Sequence, residues 1–94
     1  VVVSDYYAVE ELHLRHRVAT DLGEAGAKAL KAGVDVETPD PKSFVYLTQM
    51  FREGKLPLAI LDSAVGRVLR QKFEMGLFEN PYTRPEKAAK TVAT

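Results

Sequence analysis

The pattern of apolar and polar positions divides the chain into stretches of two kinds. Val1, Val2 and Val3 form a continuous β-branched run, and residues 34–37, Val-Asp-Val-Glu, form a second short stretch with two β-branched residues. Such runs are typical of strands that are buried on both faces, as in parallel sheets. Between and after them, apolar residues recur every three or four positions, which indicates helices. The pattern predicts a helix-rich α/β segment with two short parallel strands joined by a helical crossover.

The helical periodicity predicts four helices. They cover about residues 8–17, 18 or 20 to 32, 41–54 and 57–75. The last is the most regular, because its apolar positions keep a spacing of three and four residues while charged residues take much of the other face. We therefore expect this helix to be the longest element of the chain.

Capping residues mark the ends of these helices. Thr20 or Asp21 can cap the second helix, and Glu24 follows Asp21 at the spacing of a capping box. Gly33 and Gly76 stand where a left-handed residue ends the second and fourth helices. Asp40 precedes a proline and is expected to cap the third helix.

Charge and composition exclude several classes of function. The chain has 13 Lys and Arg against 13 Asp and Glu, and this zero net charge argues against a nucleic-acid or anionic-membrane partner. It has no cysteine, which excludes a disulfide, a thiolate metal site and a cysteine nucleophile. No apolar run approaches the roughly 20 residues that span a bilayer.

A carboxylate follows directly after the first predicted strand. Asp5 would lie at the C-terminal end of that strand, where reacting groups collect in α/β barrels and open sheets. Tyr6 and Tyr7 stand beside it, and a carboxylate next to aromatic rings is typical of a site that handles a sugar. The alternative is that Asp5 caps the next turn and that both tyrosines belong to the core.

Residues 2–6, Val-Val-Ser-Asp-Tyr, resemble the nucleophile segment of glycoside hydrolase family 3, in which the aspartate is catalytic. Residues 24–35 resemble the helix and the Ala-Gly-Val-Asp strand that follow in that family. Residues 61–81 resemble the helix that closes its first domain. The resemblance covers roughly residues 1–82 and is closest to the β-glucosidase and β-xylosidase branches.

The resemblance implies a fold and a domain division. Residues 1–82 would be the C-terminal segment of a catalytic (β/α)8 TIM-barrel domain, about its last two β/α units. The first strand would be about the seventh of the barrel, whose complete form takes about 250 residues. Residues 83–94 are polar and alanine-rich and would begin a linker to a second domain.

The resemblance also implies a function. The enzyme would be a retaining, exo-acting β-glycosidase that needs no cofactor and hydrolyses terminal β-linked glucose or xylose. Asp5 would form the covalent glycosyl-enzyme, and a second carboxyl about 5–5.5 Å away would transfer the proton. The family usually supplies that acid from outside the matched segment. Glu10 and Glu11 are nearer alternatives, although acids in a first helical turn are more often solvated.

Tyr6 and Glu37 are the candidate sugar-binding residues. Tyr6 stands where the family commonly has tryptophan, and its ring could stack on the apolar side of a sugar. Glu37, near the end of the second strand, could bond sugar hydroxyls, the alternative being a strand carboxylate paired with an arginine. His13 and His16 lack a third ligand of the usual pattern, so no metal site is predicted.

The chain by itself holds a nucleophile but no acid partner and no closed barrel. We expect the isolated chain to be inactive and to associate with the remainder of its own enzyme chain, or with copies of itself, through exposed strand edges and apolar helix faces. The assembled site would bind a β-glucoside or β-xyloside. The alternative is a non-catalytic helical interaction or assembly module, with residues 1–3 as an ordered tail.

Overall fold

The computed structural model describes residues 1–92, which form helices joined by turns. A short 3₁₀-helix, Phe44–Tyr46, leads directly into the third α-helix. No helix within the described range is long and apolar enough to cross a membrane. The α-helices are α1 (Ala8–Leu14), α2 (Leu22–Ala32), α3 (Leu47–Arg52), α4 (Leu58–Glu74) and α5 (Pro85–Val92).

The prediction of an α/β barrel fragment with two parallel strands is wrong. Residues 1–92 contain no strand, and a single isolated parallel bridge joins Val3 to Val36. The two segments still lie side by side, since the Asp35 N–H donates to the Val2 carbonyl at 2.8 Å. A parallel ladder needs neighbouring strands and a cover on both faces, and a lone pair of segments has neither. Residues 1–3 accordingly remain about half exposed.

The four predicted helices are present, with shorter bounds. α4 lies within the predicted 57–75, and α2 begins at Leu22, later than either predicted start, Val18 or Thr20. The first helix ends at Leu14 rather than 17, because Arg17 adopts a left-handed φ of 53° and the chain turns back there. The Val18 N–H then donates to the Leu12 carbonyl at 2.9 Å, which closes the turn.

Of the two predicted caps of α2, Thr20 and Asp21, the structure confirms Asp21. Asp21 Oδ1 accepts the Glu24 N–H at 2.8 Å. The Glu24 carboxylate in turn accepts the Thr20 N–H at 2.7 Å and the Thr20 hydroxyl at 2.6 Å. These two bonds, with that from Lys28, lower the pKa of Glu24 from 4.5 to about 2. The same carboxylate therefore holds the turn before the helix as well as its first residues.

The predicted C-terminal caps are also confirmed. Gly33 and Gly76 both have left-handed φ angles, of 106° and 68°. The Leu77 N–H donates to the Lys72 carbonyl, and the Gly76 N–H to that of Phe73, each at 3.0 Å, which is the Schellman arrangement. α4 is thus ended by its own backbone.

A small core lies where α2 meets the 3₁₀-helix, α3 and α4. Alanines and a glycine on α2 allow this close packing: a Cβ placed on Gly26 would lie 2.8 Å from the Ser43 carbonyl oxygen. The core joins α2 to the part of the chain that follows the second extended stretch, from the 3₁₀-helix to α4. Its buried members are Ala27, Leu30, Leu47, Leu56 and Ala64.

An ion pair ties α4 to the paired segments at the N-terminus. Arg67 Nη2 lies 2.7 Å from Asp35 Oδ1, and Asp35 Oδ2 accepts the Val2 N–H at 2.9 Å. The hydrogen bond from Arg67 is the main cause that lowers the pKa of Asp35. A carboxylate of residues 34–37 was expected to pair with an arginine as the alternative to a sugar contact. Asp35 is the residue that forms this pair.

The C-terminal stretch is helical where it is described. α5 has no buried residue. The prediction that residues 83–94 begin a linker stays a prediction, and residues 93 and 94 lie outside the described range.

Candidate active site

The two extended segments bring their C-terminal ends together. Because they run parallel, the turn after Ser4 lies beside the turn after Glu37. A backbone hydrogen bond from the Tyr7 N–H to the Thr38 carbonyl, at 3.1 Å, joins the two turns. Asp5 therefore lies at the shared end of the pair, as the sequence predicted, although the pair is not a sheet.

The Asp5 carboxylate is exposed and only half engaged. Oδ1 accepts the Tyr6 N–H at 2.8 Å. Among residues 1–92, no group donates a hydrogen bond to Oδ2. The side chain does not cap α1, whose N-cap residue is Tyr7. One oxygen is thus held by the backbone, and the other is open to an incoming molecule.

Two tyrosines stand beside this carboxylate on the surface. Tyr6 is 66% exposed and Tyr7 is 46% exposed, so neither belongs to the core. Their rings meet edge to face, with centroids 6.2 Å apart. Lys42 Nζ lies 5.0 Å from the centre of the Tyr7 ring, within cation–π range. The aromatic surface is therefore flanked by a positive charge.

The turn that carries Asp5 is conformationally costly. Tyr7 has a left-handed φ of 64°, which for a residue with a Cβ costs about 1–2 kcal/mol. The Ala8 N–H donates to the Asp5 carbonyl at 3.1 Å and closes the turn. Contacts from the neighbouring turn must offset the cost of this conformation.

Those contacts join Thr38, in the neighbouring turn, to Ser4, which directly precedes Asp5. Sequence reasoning missed both roles. Thr38 Oγ1 donates to the Ser4 carbonyl at 2.6 Å, and the Thr38 N–H donates to Ser4 Oγ at 3.0 Å. The peptide bond from Thr38 to Pro39 is cis. The available signal was positional: both hydroxyl residues directly follow the two β-branched stretches, and parallel pairing places such residues side by side.

Glu37 lies in the same region but its carboxylate faces the backbone. It is buried and accepts the N–H of Ser43 at 3.0 and 3.1 Å and that of Phe44 at 2.7 Å. These contacts cap the 3₁₀-helix, a role that had been expected of Asp40. The predicted contact of Glu37 with sugar hydroxyls stays a prediction.

The nearby acids of α1 are both engaged with cations. Glu10 Oε2 lies 3.7 Å from Lys42 Nζ, and Glu11 Oε2 lies 3.7 Å from an Arg15 nitrogen. Neither acid is solvated as expected of a first helical turn, because the Glu10 side chain is only 13% exposed and Glu11 Oε2 is buried.

One of the two histidines contacts the main chain. His13 Nδ1 lies 3.0 Å from the Ala19 carbonyl oxygen, a contact that holds the turn after α1. Within the described chain, no group of three or more histidine, aspartate or glutamate side chains could hold a metal ion.

The sequence matches the family model for the glycosyl hydrolase family 3 N terminal domain over residues 1–71. It is 42% identical over 83 residues to a periplasmic beta-glucosidase of Salmonella typhimurium, covering 88% of this chain. It is 39% identical over 90 residues to a lysosomal beta glucosidase of Dictyostelium discoideum, covering 94% of this chain. In each case the chain spans only 11% of the relative.

Solved structures agree with these relatives. The chain superposes on a beta-glucosidase from Listeria innocua, determined in complex with isofagomine, with a TM-score of 0.80 and 40% identity. The match covers 87% of this chain and 11% of that one. The same protein has also been determined in complex with glucose.

Proposed function

The chain belongs to glycosyl hydrolase family 3, and we propose that it supplies the nucleophile of a retaining, exo-acting β-glycosidase. The substrate is a saccharide with a terminal β-linked glucose or xylose. The relatives support this range, since one is named a periplasmic beta-glucosidase, and a further relative from Formosa agariphila, 37% identical over 97% of this chain, is named a putative beta-xylosidase.

The observation that carries the proposal is the state of the Asp5 carboxylate. A nucleophilic carboxylate needs one oxygen held in place and the other free to approach the anomeric carbon. Asp5 Oδ1 is held by the Tyr6 N–H at 2.8 Å, while Oδ2 accepts no hydrogen bond from residues 1–92. In the proposed mechanism Oδ2 attacks the anomeric carbon as an acid protonates the departing oxygen. Water then hydrolyses the glycosyl ester with overall retention.

Two further residues are proposed to contact the sugar. Tyr6 offers an exposed ring beside the nucleophile, on which the apolar face of a pyranose can stack. The Glu37 carboxylate has few acceptor positions left for sugar hydroxyls. An ionised carboxylate has about four acceptor positions, and three are taken by backbone N–H groups. Glu37 could therefore accept at most one hydroxyl, and its stronger effect is on the shape of the turn.

The remainder of the enzyme is required for turnover. The chain spans 11% of its relatives' length, and both acids close to Asp5 along α1 are engaged with cations. We propose that the general acid comes from another part of the parent protein and that the isolated chain is inactive. Residues 1–82 are proposed to belong to the catalytic domain, and residues 83–94 to begin a linker.

The test replaces Asp5 in the full-length protein. Asp5→Asn keeps the size of the side chain but removes the charged nucleophile, so kcat on an aryl β-glucoside or β-xyloside should fall about 10⁴-fold or more. Asp62→Asn, an exposed change on α4, is the matched control and should leave kcat unaltered. Proton NMR of the first product formed by the wild type should show the β-anomer.

Two results would refute the proposal. One is an Asp5→Asn variant as active as Asp62→Asn, which would show that the carboxylate is not needed. The other is a first product with the α-configuration, because an inverting enzyme forms no covalent intermediate.

A further inference from the structure

We propose that Thr38 is a positioning residue for Asp5. Thr38 holds the backbone before and after the nucleophile. This inference rests on the function proposed above. The residue belongs to the neighbouring turn, 33 positions further along the chain, and reaches Asp5 only through its neighbours Ser4 and Tyr7.

The side chain of Thr38 holds the peptide group before Asp5. Thr38 Oγ1 donates to the Ser4 carbonyl oxygen at 2.6 Å, in a half-buried position. That carbonyl belongs to the planar peptide group that joins Ser4 to Asp5, so the bond fixes the orientation in which the Asp5 Cα leaves the first segment.

The main chain of Thr38 contacts Ser4, which precedes Asp5, and Tyr7, which follows Asp5 by two residues. Its carbonyl accepts the Tyr7 N–H at 3.1 Å, and its N–H donates to Ser4 Oγ at 3.0 Å. Since the Thr38 hydroxyl proton goes to the Ser4 carbonyl, Ser4 must be the donor in the 3.4 Å contact between the two hydroxyl oxygens. A single residue therefore contacts the chain before and after Asp5.

We call these contacts of Thr38 with Ser4 and Tyr7 the clamp, and they have a catalytic consequence. Asp5 lies in an exposed turn whose last residue, Tyr7, is left-handed, and its carboxylate is held through the Tyr6 N–H alone among residues 1–92. A nucleophile must reach the anomeric carbon within about 3–3.5 Å, and a displacement of about 1 Å can slow a reaction about 100-fold. Loosening the peptide before Asp5 should slow bond formation more than it weakens substrate binding.

The experiment compares Thr38→Val with Thr38→Ser in the full-length protein. Valine keeps the branched shape but lacks the donor, whereas serine keeps the donor. A 2-fluoro-glycoside provides the readout, because its first-order inactivation rate reports glycosylation alone. We expect Thr38→Val to lower this rate and kcat about 10–100-fold, with KM within about 3-fold of wild type. For Thr38→Ser, the inactivation rate, kcat and KM should all stay within about 3-fold of wild type.

Two results overturn the inference: a Thr38→Val variant that reacts as fast as wild type, or a Thr38→Ser variant as slow as Thr38→Val. Peptide mapping of the labelled wild type keeps this separate from the proposed function. A label elsewhere than Asp5 refutes the function, whereas a label on Asp5 with an unaltered Thr38→Val rate refutes only the clamp.

A second variant decides the matter if Thr38→Val does not fold. Ser4→Ala removes the acceptor of the Thr38 N–H and leaves the bond to the Ser4 carbonyl in place. It should lower the inactivation rate about 3–10-fold with KM unaltered. An inactivation rate equal to that of wild type would refute the clamp.

Discussion

The side chain of Glu37 shows how the role of a carboxylate depends on the groups placed near it. From sequence it was a candidate sugar ligand, because it ends a predicted strand. In the structure its oxygens accept the N–H groups of Ser43 and Phe44, six and seven residues later. No capping motif has that spacing, so local pattern could not identify it. Asp21 and Glu24, by contrast, are three residues apart, and their capping role was predictable.

The Glu24 carboxylate should make the stability of the fold depend on pH. Its pKa is about 2 when folded against an ordinary 4.5, because Thr20 and Lys28 bond the charged form. A lowered pKa means that its stabilisation is complete above about pH 4.5 and is lost as the pH falls through about 2. Urea unfolding of the chain, followed by circular dichroism, should show falling stability across this window.

Replacement of that carboxylate isolates its contribution. In Glu24→Gln the decline between pH 4.5 and 2 should be shallower than in wild type, since no carboxylate remains there to protonate. Glu79→Gln removes an exposed carboxylate after α4 and should keep the wild-type slope. Equal slopes in both variants would show that Glu24 does not contribute.

Among the elements, α4 was the most predictable and the paired segments were the least. Helical spacing and the sequence Gly76-Leu77 depend on neighbours within a few residues, and the observed helix and its Schellman end agree with them. A strand depends on partners that are distant in sequence or lie outside the chain. Residues 1–3 have strand composition, yet only Val3 forms a bridge, because residues 1–92 provide a single neighbouring segment.

Two helical glycines should respond oppositely to the same substitution. In Gly26→Ala on α2, the new Cβ would lie 2.8 Å from the Ser43 carbonyl oxygen, whereas nothing lies within 4 Å of a Cβ on Gly66 in α4. Overpacking should make Gly26→Ala less stable by about 1–3 kcal/mol, despite its better helix propensity. Gly66→Ala should gain up to about 1 kcal/mol.

Amide hydrogen exchange measures both effects within the full-length protein. The opening free energy of α2 should fall in Gly26→Ala, and that of α4 should rise in Gly66→Ala. A Gly26→Ala variant with unaltered protection in α2 would mean that α2 and the turn at Ser43 do not pack as closely as described.

The whole chain is extended and leaves much apolar surface uncovered. Its radius of gyration is 16.9 Å, whereas a compact domain of this length has about 12 Å. Large side chains on the later turns of α4 are exposed, among them Leu69 at 40% and Phe73 at 62%. Patches of this kind mark surfaces that another protein part covers. The match to the periplasmic beta-glucosidase of Salmonella typhimurium covers 88% of this chain but only 11% of that relative.

The isolated chain should therefore self-associate and lack activity. Light scattering after size exclusion should show species larger than a monomer, and Phe73→Glu should shift them towards the monomer by placing a charge in the exposed patch. An aryl β-glucoside should not be hydrolysed. A monomer with a cooperative helical melt would favour the alternative, a helical interaction module, and measurable hydrolysis would refute the requirement for the remainder of the enzyme.

Asp5 is proposed to be the residue that becomes covalently glycosylated, and peptide mapping tests this directly. The full-length protein is inactivated with a 2-fluoro-glucoside or 2-fluoro-xyloside, digested, and analysed by tandem mass spectrometry. We predict one sugar per protein, on Asp5, and none in Asp5→Asn. A label on any other residue, or an equal label in Asp5→Asn, would contradict it.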